Sequence, residues 1–291
     1  MQSWIYLALG AAFFSGLNNF LKVLSAHHNH DASKVALYFN VFSTIFAGIF
    51  LIFFFQKVEW NLLFFAIVFI IAVFNVLNIK YKVLSLKILD SSEYFIFVRS
   101  FIFIFLLFFG IVLFQEKLSV AEIIGIGLNF LAIFFLFDLQ GKFFLNRPYF
   151  WKGILFAVIT GISMTAIGLA KKYIIIFDYD KFAFLFFVFL FSIFISLVFK
   201  HRSNENRNIF PAQYKKIAII CAQAGSNFLA QVCSFFALIS GKIVIVNRIT
   251  SFSLFVVIFL SVIFLGEKIT VRKIWAFVFT VVSLLLFNLG A

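Results

Sequence analysis

The sequence predicts an all-α membrane protein in which ten transmembrane helices form two inverted five-helix repeats around a central cavity. Three observations lead there: the composition, the number of long apolar runs, and a charged dipeptide that returns at a fixed distance along the chain. Hydrophobic residues make up 64% of the 291 and charged residues 12%. The mean hydropathy is +1.13. Soluble domains carry about 25% charged and about 45–50% apolar residues. The apolar surface here exceeds what a water-soluble fold can bury, so lipid must be the solvent.

A bilayer core of about 30 Å takes about 20 apolar residues per helix. The first run, 4–24, starts straight after Met1-Gln2-Ser3 with no basic region or cleavage site, and reads as a membrane helix and not as a removable signal. The second, 35–55, follows the polar stretch "AHHNHD"; the third, 61–86, follows Lys57 and Glu59. The fourth, 94–114, opens after Asp90 and Glu93, and the fifth, 120–137, after Glu116-Lys117. Five more runs follow at 153–171, 182–199, 217–238, 243–265 and 273–289. Pro148 and Pro211 fall in the two longer connections, so no span carries a proline kink. No run alternates with the period of two that a membrane β-barrel strand needs.

The dipeptide fixes the internal repeat. "LFQEKLSV" holds Glu116-Lys117 between two apolar runs, and "FLGEKITV" holds Glu267-Lys268 in the same setting. The same offset aligns Val120 with Val271 and Ser100-Phe101 with Ser251-Phe252, so spans four and five correspond to nine and ten. Each repeat then holds five helices, 1–140 and 150–291. An odd number makes the second unit enter the membrane upside down, the architecture in which secondary transporters place a site near the midplane.

The stretch from Ser85 to Phe137 resembles the EamA-type repeat of the drug/metabolite transporter superfamily. Ser85-Leu86, Ser91-Ser92, Glu116-Lys117 and Gly125 occupy the places of its helix corner, its charged turn and its Gly-containing helix. Ala237-Leu238, Gly241, Glu267-Lys268 and Ala276 supply the second copy. Asp90 stands where the corner usually has proline, and Ala276 where a glycine is expected. The resemblance implies a ten-helix transporter moving a small metabolite by alternating access, in a bacterial cytoplasmic membrane, with both termini in the cytoplasm. It implies no particular substrate. The Glu-Lys turn reads as a structural surface feature.

Ionisable groups deep in a bilayer are costly and point to function. Lys80 and Lys82 in the third span, Arg99 in the fourth and Arg248 in the ninth are the candidates; Lys22 lies near a helix end. Asn75, Asn78, Lys82 and Ser85 step by three, four and three, which places them on one helical face. That face reads either as a cavity wall or as a helix that ends early with its lysines snorkelling to the interface. Ser15, Asn18, Asn19 and Lys22 cluster on the first helix, and Gln223, Asn227, Gln231 and Ser234 on the eighth. Asn247, Thr250 and Ser251 group on the ninth. Such stripes also arise where amides merely tie helices together, at about 0.6 kcal/mol per contact. The expected substrate-binding set is Lys82, Asn78, Asn75, Lys80, Arg99, Asn18, Asn19, Asn227, Gln231 and Asn247.

No carboxylate lies mid-span, which disfavours proton-coupled export of cationic drugs. Positive charge in the interior favours an anionic or zwitterionic solute, such as an amino acid, an organic acid or a phosphorylated compound, to supply the counter-charge. The net charge of +13 is read as loop lysines and arginines that set orientation, not as a nucleic-acid surface. Their bias puts both termini outside, against the family expectation. "AHHNHD" reads as a solvated turn; Cys221 and Cys233 form no zinc pattern. No enzyme motif is present; the alternative reading is an intramembrane enzyme or a non-transporting membrane protein. No cofactor or metal is expected. The expected partners are a small-molecule substrate and the lipid bilayer, not nucleic acid, for a monomer or weak dimer.

Overall fold

A computed structural model describes residues 3–27, 31–54, 61–89, 91–115, 117–135, 149–202, 214–265 and 271–290. The Glu116 and Glu267-Lys268 positions and the loop residues His28 to His30 lie outside the described residues. Among the described residues the fold is helical without strands. It comprises α1 (Ser3–His27), α2 (Ala32–Phe54), α3 (Leu62–Leu86), α4 (Ser91–Phe114), α5 (Val120–Phe135), α6 (Phe150–Ile176), α7 (Lys181–Arg202), α8 (Tyr214–Ser240), α9 (Ile243–Thr250), α10 (Ser253–Leu265) and α11 (Val271–Gly290). Seven helical stretches among these residues are long and apolar enough to cross a membrane, the last being α9 with α10 as one span, Ile243–Phe264. Leu62 is 86% exposed, Ile52 79% and Phe53 76%. Faces of this kind are stable only against lipid.

Local chemistry sets the helix ends. Asp31 Oδ1 accepts from Ser33 N at 2.8 Å at the start of α2, and Asn61 Oδ1 accepts from Leu63 N at 3.0 Å at the start of α3. Ser119 and Glu122 form a reciprocal capping box on α5: Ser119 N donates to Glu122 Oε2 at 2.6 Å and Glu122 N to Ser119 Oγ at 3.3 Å. The sixth span runs past the expected end at Lys171, because Lys171-Lys172 sit inside a continuous helix. The stop comes at Asp178, with φ 51°. Asp178 N donates to Ile175 O at 3.2 Å and Tyr179 N to Ile174 O at 3.0 Å, a Schellman closure. Asp180 Oδ1 then caps α7 by accepting from Ala183 N at 2.6 Å.

The ninth span is where the structure departs most from a simple rod. Between α9 and α10, at Ser251-Phe252, the backbone tightens. Phe252 N donates to Ile249 O, Leu254 N to Ser251 O and Phe255 N to Phe252 O, each at or below 3.0 Å. These i→i+3 bonds replace the α pattern for about a turn. Gly16 of α1 meets the start of α10 there: a Cβ on Gly16 would lie 2.4 Å from Val256 Cβ and 2.9 Å from Ser253 O.

The helices pack in definite pairs. α1 lies on α8 and on α10, α3 on α6 and α7, α2 on α7 and α8, α4 on α6, and α5 on α11. One apolar cluster gathers residues of α1, α4, α9 and α10, including Ile5, Val98, Ile102, Ile245 and Leu254; a second gathers α2, α3, α7 and α8 around Phe39, Val68, Phe184 and Phe228. Between α2, α3 and α7 a buried polar cluster ties the helices together. Asn75 Nδ2 donates to Asn40 Oδ1 at 2.9 Å and to Ser192 Oγ at 3.1 Å, and Asn40 Nδ2 donates to Ser196 Oγ at 3.2 Å.

Candidate functional site

Five helices, α1, α3, α6, α8 and α9, enclose a polar cavity of about 130 Å³, with Leu106 of α4 completing one wall. Helical periodicity delivers its lining. Ser15, Asn18, Asn19 and Lys22 come from one face of α1, Asn78 and Lys82 are one turn apart on α3, and Asn227, Gln231 and Ser234 run along α8. Asn247 and Thr250 come from α9, just before the break in that span.

Three lysines from three helices reach this space. Lys22, Lys82 and Lys171 are 3%, 4% and 7% exposed. Lys82 Nζ donates to Asn19 Oδ1, binding α3 to α1, and stands 5.4 Å from the Phe95 ring centroid and 5.9 Å from that of Tyr94. Lys22 Nζ lies 4.7 Å over Phe39. Lys171 Nζ donates to Ser234 Oγ at 3.2 Å and lies 5.5 Å over Phe235. Each ammonium therefore rests on an aromatic face, which offsets part of its desolvation, about 0.5–2 kcal/mol. Among the described residues the cavity lining contains no carboxylate. Asn18 Nδ2 donates to Asn227 Oδ1 at 3.3 Å across the α1–α8 contact. Chemically the described lining offers cationic donors and amides.

The residues expected from sequence divide as follows. Lys82, Asn78, Asn18, Asn19, Asn227, Gln231 and Asn247 all line the cavity. Asn75 does not; its amide is committed to Asn40 and Ser192. Lys80 lies on the other side of α3, with Nζ 5.1 Å over the Phe199 ring of α7. The Arg99 side chain lies outside the described residues. Arg248 is 1% exposed and stacks over Phe130 of α5 at 4.7 Å, away from the cavity lining. Two lysines of the wall escaped the expectation. Lys22 was set aside as a helix-end residue, yet α1 runs on to His27. Lys171 closes the expected sixth run, yet α6 continues to Ile176, and Met164, Ile167, Gly168 and Lys171 step by three, one and three along it into the cavity. The missed signal was that stripe.

Residues 151–289 match the EamA-like transporter family, a little under half of the chain. No curated protein matches the sequence. One solved structure, titled only as the crystal structure of a protein, superposes on 99% of this chain and 98% of its own at a TM-score of 0.78 and 14% identity. At that identity the likeness establishes the fold alone. The chain is thus a multi-pass membrane protein whose residues 151–289 are similar to the EamA-like transporter family.

Proposed function

From an EamA-like transporter domain in the second half of a membrane-spanning chain, we propose that the whole protein is a secondary transporter. It carries a small anionic or zwitterionic metabolite across a bacterial cytoplasmic membrane by alternating access. The observation that carries the substrate class is the convergence of Lys22 and Lys171, both buried, on a cavity whose described lining has no carboxylate. A buried ammonium without a counter-charge costs several kcal/mol (about that order in real proteins), and a carboxylate or phosphate on the solute supplies the partner. The amides of Asn18, Asn78, Gln231 and Asn247 then orient the solute's remaining polar atoms.

Alternating access needs two related halves, read here as 1–140 and 150–291. The helix pairings support them. Exchanging α1 with α6, α2 with α7, α3 with α8, α4 with the α9–α10 span and α5 with α11 converts the α1–α8 contact into α6–α3. It converts α4–α6 into α10–α1 and α3–α7 into α8–α2, and all of these contacts occur. Such exchange symmetry is what an inverted repeat produces. The test is uptake into proteoliposomes of amino acids, organic acids and sugar phosphates, with Lys82→Ala set against Lys80→Ala. Flux of an anionic or zwitterionic solute that is lost only in Lys82→Ala supports the reading. Flux restricted to cations, or equal in both variants, removes it.

A further inference from the structure

The α8–α9 corner, Gly241-Lys242, sits at the membrane face where α1 and α5 begin and α6 ends. Three of those elements grip it. Trp4 of α1 packs so closely that a Cβ on Gly241 would lie 3.0 Å from its Cε3 atom. Lys172 Nζ at the end of α6 donates to Gly241 O at 3.2 Å. Glu122 in the first turn of α5 receives Lys242 Nζ on both carboxylate oxygens, at 2.7 and 2.8 Å. Glu122 is 1% exposed, whereas the Lys242 side chain is 36% exposed. The pair therefore holds a buried carboxylate to a cation at the rim.

Immediately beneath the corner lie Leu238, Ile243 and Val246, all in the cavity lining. Resting on the transporter reading above, we propose that Glu122 and Lys242 form the latch of a gate: they hold the α8–α9 corner over the cavity and close it toward the face at which the chain begins. Charge-assisted bonds are about twice as strong as neutral ones. Among the described residues the corresponding α3–α4 corner on the other face is tied by a neutral bond, Ser85 Oγ to Gly153 O at 2.9 Å. Opening toward that face requires the Glu122–Lys242 pair to separate. Both residues are positioning residues that act through the corner.

Glu122→Gln isolates the latch, because glutamine retains the capping box with Ser119 while the charge is lost. The experiment uses the full chain with Cys221 and Cys233 replaced by serine and Leu238→Cys as reporter, in vesicles of defined orientation. A membrane-impermeant thiol reagent is applied from each side in turn. From the terminal face, Glu122→Gln and Lys242→Gln label about tenfold faster or more, the loss of one charge-assisted contact. Labelling from the opposite face does not rise, and Lys242→Arg, which keeps the pair, labels as slowly as the parent. Unchanged labelling in both glutamine variants, acceleration from both faces alike, or fast labelling in Lys242→Arg overturns the latch. The readout needs no solute, so it fails or succeeds independently of the flux assay.

Discussion

Lys171 on α6 donates to Ser234 on α8 at 3.2 Å, so the lysine that closes the sixth apolar run of the sequence is buried and tied to the cavity wall. Replacing a buried charge by an apolar group of similar length is often neutral or stabilising. Lys171→Met is therefore expected to unfold at the same or higher denaturant concentration while flux of the anionic solute falls about tenfold or more. A denaturant titration and an uptake assay on the same preparation check this. Equal flux with raised stability would make Lys171 a passenger in the wall.

Asn75 behaves in the opposite manner. Its amide bridges Asn40 and Ser192 away from the cavity. At about 0.6 kcal/mol per interhelical bond, Asn75→Leu costs about 1 kcal/mol. Uptake by the folded fraction stays close to the parent. Asn78→Leu, one turn further along and in the wall, keeps the stability and loses uptake. Reversed phenotypes in this pair would place the solute on the α2–α7 side of α3.

Two glycines of α1 separate close approach from open packing. A methyl on Gly16 enters Val256 and the Ser253 carbonyl, whereas one on Gly10 stops 3.5 Å from Cys233 Sγ. Gly16→Ala forces α1 and α10 apart and costs about 1–3 kcal/mol. Gly10→Ala gains helix propensity, about 0.5–1 kcal/mol, and is tolerated. Chemical denaturation of the two variants in the same detergent measures the contrast.

Asp178 holds a left-handed backbone at φ 51° in the closure of α6. Glycine reaches that conformation without a Cβ penalty, so Asp178→Gly stabilises by up to about 1 kcal/mol. Asp178→Val destabilises. The melting temperatures of the two variants move in opposite directions.

Much of the architecture was legible because a bilayer demands long apolar helices, and because the stripes on α1, α3 and α8 keep helical spacing through a lipid-facing background. Asn18, Asn19, Asn227 and Gln231 reach the cavity for that reason. Spacing alone does not tell a cavity from an interhelical seam: Asn75 and Asn78 share a face, but one turn moves the side chain from the α2–α7 seam to the α1–α6 side. Charge misleads at Lys22 and Lys171: each lies near the end of its apolar run, where a lysine reads as interfacial, yet α1 continues to His27 and α6 to Ile176. The rings that shelter these ammoniums lie on other helices, Phe39 on the next one and Phe235 two helices further along, and the spacing within α1 or α6 does not announce them. The break at Ser251-Phe252 involves neither glycine nor proline, so no punctuation marked it.

That break has a consequence for what the cavity can present. Thr250 Oγ1 at 2.8 Å, Ser251 Oγ at 3.1 Å and Ser251 N at 3.1 Å all end on the Asn247 carbonyl. A peptide carbonyl has two lone pairs. Three donors saturate it, so the tightened turn offers a solute no spare backbone acceptor at Asn247. Whatever the cavity reads at that point, it reads with the Asn247 amide side chain and its neighbours. At that residue the backbone is a silent scaffold, and recognition is left to the side chain.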